Sequence, residues 1–174
     1  MGRKLARKVM QASSDGIDLS GTGSCICFNA RKTARAVTQL YDAALQPFGL
    51  RSTQFAVLVA IAKRGPIGVR ELGELLVTDP TTLSRSLRKL ELSGHLRIAP
   101  GLDRRERFVQ LTRHGRSALQ KSIPRWRSVQ QTLLSKLSEP GWRATRERLD
   151  EIKHLALEAY SQQSCWSVED RDLE

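Results

Sequence analysis

The stretch Val69–Leu111 constrains the fold more than any other part of this sequence. Two short segments with helical apolar spacing meet at Thr78-Asp79-Pro80, and a basic segment with strand-like alternation follows directly. An acceptor side chain at Asp79 with a proline behind it is typical of a helix start. A helix-turn-helix followed by a hairpin wing is an arrangement that enters DNA grooves. The stretch therefore predicts a winged helix-turn-helix that binds double-stranded DNA.

The second helix of this stretch is predicted to have two distinct faces. At about 100° per residue, Leu83, Leu87 and Leu90 share one face and can pack on the leucines of the preceding helix, Leu72, Leu75 and Leu76. Short hydroxyls and cations fall on the other face. Arginine can bind guanine through two hydrogen bonds, and threonine can contact a base edge or a phosphate. The candidate DNA-binding residues here are Thr78, Thr81, Thr82, Arg85, Arg88 and Lys89. A solvated basic face is the alternative interpretation.

The wing is predicted from two alternating segments, Leu96-Arg97-Ile98 and Val109-Gln110-Leu111, with an exposed tip between them. Arginine suits the enhanced negative potential of a narrow minor groove. The candidate DNA-binding residues of the tip are therefore Arg104, Arg105 and Arg107. Asp103 would be repelled by DNA unless it is paired, so we expect it to brace the tip by bonding to Arg105 or to backbone amides. A hairpin kept hydrated by its mixed charge is the alternative.

On these residues the chain resembles the MarR (multiple antibiotic resistance regulator) family. Its wing and wing exit, Asp103-Arg104-Arg105-Glu106-Arg107 and Leu111-Thr112-Arg113-His114-Gly115, are similar to the family pattern D-x-R…L-T-x-x-G. The segments Val69–Leu72 and Leu83–Leu90 resemble the family's helix-turn-helix, and Gly94-His95-Leu96 resembles its link into the wing. The resemblance extends roughly over residues 25–160.

The resemblance implies a homodimer in which the first and last two helices interlock, with a winged lobe on each side. It also implies binding to a pseudo-palindromic operator, usually as a repressor, and release when a small molecule or an oxidant reshapes the dimer. By position, Arg105 would be the minor-groove arginine. The major-groove set would be Thr81, Thr82, Arg85 and Arg88.

The fold class expected is mostly α: a winged helix-turn-helix with a small β-hairpin wing and long N- and C-terminal dimerisation helices. We expect a mobile basic tail over residues 1–23, a first dimerisation helix over 24–50, the DNA-binding lobe over 51–112, C-terminal dimerisation helices over 113–165 and an acidic tail over 166–174. Ser52 is expected to cap the second helix, Pro124 to kink or weaken the long helix, and Ser138–Gly141 to form a turn. The outer helices carry more apolar surface than a small lobe covers, which favours pairing with a second subunit.

Charge narrows the class of partner. The chain has 29 Lys and Arg against 18 Asp and Glu, a formal net charge of +11, which indicates a polyanion such as nucleic acid or an anionic membrane. No basic amphipathic helix or apolar span supports membrane binding, and the basic start lacks a signal peptide's apolar region. We therefore expect a cytoplasmic protein without membrane contact. Two rival functions remain open: a non-specific architectural DNA-binding protein and a protein-interaction module.

Three cysteines, Cys25, Cys27 and Cys165, have no framework spacing and fit reduced thiols. Because some relatives in the resembled family sense oxidants through a cysteine early in the first helix, Cys27, with Cys25 beside it, is a candidate redox or effector sensor. Cys25 and Cys27 project from different sides of a helix and are poorly placed to bridge each other. The alternative is that they are packing residues.

Other chemistry finds little support in the sequence. The three histidines have no partner at metal-site spacing, so no metal or cofactor is expected. A phosphate loop, a nucleophile elbow and a paired-carboxylate motif are all absent from the sequence, which argues against an enzyme. The tryptophans Trp126, Trp142 and Trp166 could line a pocket for an aromatic small-molecule effector, with core packing as the alternative.

Overall fold

The computed structural model describes residues 17–101, 103 and 106–169, with side chains described as far as residue 162. Six helices and three strands follow one another as α1 Ile26–Leu45, α2 Ser52–Arg64, β1 Ile67–Gly68, α3 Val69–Leu76, α4 Pro80–Leu92, β2 Leu96–Pro100, β3 Arg107–Leu111, α5 Arg113–Leu137 and α6 Glu139–Glu169. The strands form one antiparallel sheet in the order β1-β3-β2. The predicted winged helix-turn-helix class is confirmed. Among the described helices, none combines the length and the apolar character that a membrane span requires.

The hydrophobic core lies inside the lobe formed by α2, α3, α4 and the sheet. One stripe of α2 is buried, with Leu58 at 0% exposure, because its apolar residues recur at helical spacing. The leucines of α4 and Val109 of β3 meet this stripe. From outside the lobe, Leu45 of α1 and Leu119 of α5 also contribute. Each long helix therefore reaches the core of this chain at only one end.

The start of α2 differs from the expectation. Ser52 is the first helical residue rather than the cap, which is Arg51. The Ser52 backbone N–H and hydroxyl both donate to Asp42 of α1, each at 2.7 Å, and Arg51 donates to the second oxygen of that carboxylate at 3.1 Å. The orphan donor at the helix start is thus satisfied from another helix, which sequence reasoning about local caps could not find. The contact ties α1 to the lobe.

The junction between the wing and α5 is closed by Thr112 and Gly115. The Thr112 hydroxyl accepts from the Gly115 N–H at 3.0 Å, as the predicted cap of the long helix. The same hydroxyl donates to the Gly94 carbonyl at 2.6 Å. A Cβ at position 115 would lie 1.9 Å from the His95 carbonyl oxygen, so only glycine permits this approach. The L-T-x-x-G pattern is therefore a packing device that fixes α5 against the end of α4.

The last two helices are longer than expected. Helix α5 continues through Pro124, and the predicted turn Ser138–Gly141 shrinks to Ser138, with φ at 61°, because α6 already begins at Glu139. Helix α6 continues to Glu169, so the boundary expected at residue 165 falls inside a helix and residues 166–169 are not a tail. Most of the expected N-terminal tail, residues 1–16, and the end of the acidic tail, residues 170–174, lie outside the described residues.

Candidate nucleic-acid interface

The turn between α3 and α4 presents the start of α4 to solvent. Helix α3 ends at Val77, whose φ of 48° and ψ of 51° put a β-branched residue in the left-handed region. Asp79 then caps α4 by accepting from the Thr82 N–H at 2.9 Å. Hydrogen bonds from Thr82 hold the pKa of the Asp79 carboxyl below its ordinary value. The cap expected at Asp79-Pro80 is confirmed. The Asp79 carboxylate is therefore engaged in a hydrogen bond at the N-terminus of α4.

The two faces of α4 are arranged as the spacing predicted. Leu83, Leu87 and Leu90 are all buried. All five predicted contact residues of the helix itself are exposed: Thr81, Thr82, Arg85, Arg88 and Lys89. Leu75 of α3 does not join the leucine contact, because it is 45% exposed and projects from the lobe instead. The outer face of α4 is therefore rich in donors, and it also carries one exposed leucine, Leu92, at its C-terminal end.

The cations of this face are available to an external anion. Within the part of the chain that the structure describes, the side chains of Arg85, Arg88 and Lys89 take part in no salt bridge. Thr78 differs from the other candidates, because it is half-buried and its hydroxyl donates to the Leu76 carbonyl at 3.1 Å. Its oxygen can still accept, but its first role is to hold the turn.

The wing is present, and its tip is described only in part. Arg107 is exposed and ends the ladder, where it pairs with Pro100 rather than lying in an open loop. The tip is closed by two backbone bonds, from Gly101 N–H to the Glu106 carbonyl at 2.8 Å and from Glu106 N–H to the Asp103 carbonyl at 2.9 Å. Arg104 and Arg105, both predicted to contact DNA, lie outside the described residues. The bracing role of Asp103 stays a prediction.

The structure adds an arginine that the sequence reasoning missed. Arg97 of β2 and Gln110 of β3 are register partners, so their side chains lie on the same face of the wing. With the Gln110 amide oriented to satisfy both groups, its oxygen accepts from Arg97 Nε at 2.8 Å and from a terminal nitrogen at 3.0 Å. This fixes an exposed guanidinium on the wing. Strand register is the signal that could have found it.

The cysteines lie at the start of α1, away from the lobe core. Cys25 is the residue before the helix and Cys27 belongs to its first turn. Both thiols are free and exposed, so neither packs within the described part of this chain. The side chain of Cys165 lies outside the described residues. In the described part of the chain, no three His, Cys, Asp or Glu residues converge on a possible metal position.

A cavity of about 320 Å³ lies where α1, α2 and α5 meet. Its lining is mostly apolar and consists of Tyr41, Leu45, Ser52, Phe55, Ala56, Val59 and Trp126. The rings of Phe55 and Trp126 stack with their centroids 6.0 Å apart. The Tyr41 hydroxyl donates to Gln130 of α5, and partial burial raises the pKa of this phenol. Trp126 thus both packs on the core and lines a cavity.

Comparison with known proteins agrees with this architecture. A family model described as the MarR family matches residues 48–106. The regulator YwoH of Bacillus subtilis is 33% identical over 82 residues, 47% of this chain and 60% of that protein. The regulator TtmR of Methylorubrum extorquens is 32% identical over 111 residues, 63% of this chain and 57% of that protein. The matches thus span about six tenths of these two relatives.

A solved structure extends the likeness over a larger share of the chain. The transcriptional regulator MosR of M. tuberculosis, crystallised in complex with DNA, is 34% identical and superposes with a TM-score of 0.72. The superposition covers 78% of this chain and 98% of MosR. This chain belongs to the MarR family of winged helix-turn-helix transcriptional regulators.

Proposed function

We propose that this protein is a cytoplasmic transcriptional repressor that binds a pseudo-palindromic operator as a homodimer. One observation carries the proposal: α4 buries three of its four leucines and exposes Thr81, Arg85 and Arg88 on the opposite face. The two arginines are not engaged in the described salt bridges. Such a face has the donors that major-groove reading needs. Two copies of α4 would enter successive major grooves about 34–36 Å apart. The DNA complex of MosR supports this assignment by analogy.

The test is binding to a two-fold symmetric fragment from the DNA upstream of the protein's own coding sequence. Arg85→Ala should weaken binding by roughly 1–3 kcal/mol and relax the base preference at one position of each half-site. Arg146→Ala removes an exposed cation from α6 and serves as the matched control. If Arg85→Ala bound every sequence as the wild type does, α4 would not be the reading helix. A footprint without a discrete protected site would favour an architectural DNA binder, and no binding at moderate salt would favour a protein-interaction module.

The wing is proposed to add contacts that do not depend on base sequence. Arg105→Ala and Arg107→Ala should each lower the affinity and make its dependence on salt shallower by about one counterion per site. Binding titrations at four salt concentrations measure this slope. An unchanged slope for both variants would remove the wing from the interface. Asp103→Ala should weaken binding only if Asp103 braces the tip, since removing an acid otherwise favours binding to DNA.

The homodimer is proposed from apolar surface that this chain leaves uncovered. The large exposed apolar residues at the start of α1 and along α6 are Ile26, Phe28, Leu149, Ile152, Leu155 and Leu157. Monomers rarely expose apolar patches of this extent. Leu155→Glu should halve the mass in light scattering and abolish operator binding. Val77→Glu is the control for the mass measurement alone, because Val77 is about as exposed as Leu155, at 55% against 59%, but lies in the lobe beside the candidate DNA-binding residue Thr78. A dimeric Leu155→Glu protein would exclude α6 from the interface.

Release is proposed to follow from a small aromatic effector in the cavity between α1, α2 and α5. Its volume lies at the lower end of the range for small-molecule sites, and its walls include Phe55 and Trp126. A ligand there touches both the dimerisation helices and the lobe, so it can change the distance between the two copies of α4. Val59→Trp should fill the cavity and leave operator binding intact while abolishing the response to a panel of aromatic acids. A retained response would place the effector elsewhere.

Redox release is the second candidate, favoured by the exposure of both Cys25 and Cys27. A reactive thiol needs access to solvent and cationic neighbours, and Arg31 and Lys32 are exposed one turn along α1. Peroxide should release the wild-type protein from the operator and leave Cys27→Ser bound. Undiminished release of Cys27→Ser would exclude that thiol, and Cys25→Ser separates the two cysteines.

A further inference from the structure

Glu91 is the sole acid of α4, and it lies on a helix whose other charged residues are all basic. An acid on a helix that approaches phosphates weakens binding to DNA of every sequence. Its presence therefore needs a structural reason. The hydrogen bonds of the lobe supply one.

The Glu91 carboxylate connects α4 to the wing. One of its oxygens accepts from the backbone N–H of Ile98 at 3.1 Å. Ile98 belongs to β2, which is the edge strand of the sheet, so this N–H has no neighbouring strand on its outer side. Glu91 thus caps an open edge of the wing from the recognition helix. Edge strands that stay open expose unpaired backbone groups, which proteins generally cover or charge.

The covalent path between α4 and β2 is short but contains a glycine. It runs through Ser93, Gly94 and His95, with Gly94 at a φ of 72°. The backbone bond from His95 N–H to the Leu90 carbonyl, 2.8 Å long, closes this path close to the helix. Glu91 makes a contact three residues further into the wing. The base of the wing is also held by the core, through Leu96 and Val109, and the Glu91 contact adds an attachment further along β2.

We propose that Glu91 is a positioning residue that holds the wing at a fixed angle to α4, so that the base-reading face and the wing cations reach their grooves together. The proposal rests on the proposed function, since it concerns how the two contact surfaces act on one operator. Glu91 itself is not proposed to contact DNA. It raises operator affinity through geometry and lowers affinity for all DNA through charge, and these two effects have opposite signs.

Opposite signs make the test decisive when Glu91 is compared with Glu74. Glu74 is an exposed acid on α3 that pairs with Arg70, and within the described residues its side chain makes no hydrogen bond or salt bridge to the wing. Glu74→Ala should tighten binding to operator and to non-specific DNA alike. Glu91→Ala should tighten only non-specific binding and weaken operator binding by about three- to tenfold, the loss of one hydrogen bond. Glu91→Gln keeps an acceptor oxygen without the charge and should bind the operator at least as tightly as the wild type.

Additivity gives a second readout that a loss of stability would not move. If Glu91 acts by placing the wing, its effect depends on the wing cation, so Glu91→Ala and Arg107→Ala should be non-additive in operator binding, and Glu91→Ala should cost less once Arg107 is removed. Glu91→Ala and Arg85→Ala should be more nearly additive, because Arg85 lies on α4 itself. Thermal unfolding of each variant confirms that binding is measured on folded protein.

Two outcomes would overturn the proposal. One is operator binding that tightens in Glu91→Ala as much as in Glu74→Ala. The other is an effect of Glu91→Ala on operator binding that is equally large with and without Arg107. Neither outcome depends on the wider assignment, because wild-type binding to the operator is measured first. Failure of the wild type to bind would reject the proposed function itself.

Discussion

The lobe and helix α6 solve the problem of burying apolar side chains in opposite ways. In the lobe, α2 and α4 each bury one apolar face within one chain, as Leu58 and Leu87 show at 0% and 2% exposure. Helix α6 is the longest helix, at 31 residues, yet it has no buried residue among those described. Leu155 lies 59% exposed on it. The lobe covers an apolar core within one chain, whereas α6 leaves its apolar side chains exposed.

The difference separates the two tasks of a regulator. A face that reads DNA must be rigid, and the core beneath α4 belongs to the same chain. In the proposed homodimer, a second copy would complete the apolar face of α6, and the geometry of that contact would be open to change by a ligand. The Asp42–Ser52 contact and the Gly115–His95 approach are the points where the two regions meet. Perturbing each region separately tests this division.

The largest effect is expected at the junction itself, for Gly115→Ala. The new Cβ would overlap the His95 carbonyl oxygen, and only a shift of the backbone could relieve the overlap. We expect unfolding to become easier by more than about 4 kcal/mol, or the lobe not to fold. Gly141→Ala in α6 is the control, since its nearest neighbour is the Ser138 hydroxyl at 3.2 Å. Chemical denaturation measures both, and equal stabilities would disprove the close approach.

The next largest effect is expected when the same truncation is made in each region, as Leu87→Ala in the lobe and Leu155→Ala in α6. Leu87 is buried in the lobe, so its truncation should lower the free energy of unfolding by about 3 kcal/mol at every protein concentration. Leu155→Ala should instead change how strongly the midpoint of unfolding depends on protein concentration, because in the proposed homodimer Leu155 would pack against a second chain. If the midpoint of unfolding depended on protein concentration to the same extent in both variants, the division between the lobe and α6 would be wrong.

A smaller effect, of opposite sign, is expected at Val77. Its positive φ costs a β-branched residue energy that glycine does not pay. Val77→Gly should stabilise the lobe by about 1 kcal/mol, measured by urea denaturation. The dimer should keep its mass and its concentration dependence. A destabilised Val77→Gly protein would show that the Val77 side chain, although 55% exposed, makes contacts that outweigh the strain.

The smallest effect is a pH dependence confined to the lobe. Burial, and then the charge of the neighbouring His114, lower the pKa of His95 below its ordinary 6.5. Below pH 6.5 the unfolded chain therefore binds more protons at this position than the folded chain does. The free energy of unfolding is unaffected by His95 above pH 6.5 and falls as the pH drops towards the folded-state pKa. His95→Asn should remove this slope in denaturation curves, whereas His154→Asn on α6 should keep it. Asp42 and Asp79 act only at lower pH, because their pKa values lie below 3.8.

The sequence by itself determined the lobe to a large extent. The leucine spacing of α4, the Asp79-Pro80 start and the alternation of β2 and β3 are local patterns, and each produced the element that it predicted. The exposed set Thr81, Arg85 and Arg88 follows from the same spacing, since burying one face of a helix exposes the opposite one. Local periodicity was sufficient because the lobe is built from short elements close in sequence.

Tertiary structure decided the points where distant residues meet. Asp42 replaces a local cap at Ser52, Gly115 accepts the His95 carbonyl, and Glu91 reaches the edge of the wing. None of these partners is visible to a rule that compares residues within one helical turn. The end of α6 was also predicted wrongly, since the helix continues to Glu169. Its apolar side chains are exposed within one chain, so packing inside the chain does not define where the helix ends. Periodicity fixes which face of an element is apolar, but only the packed fold determines what that face meets.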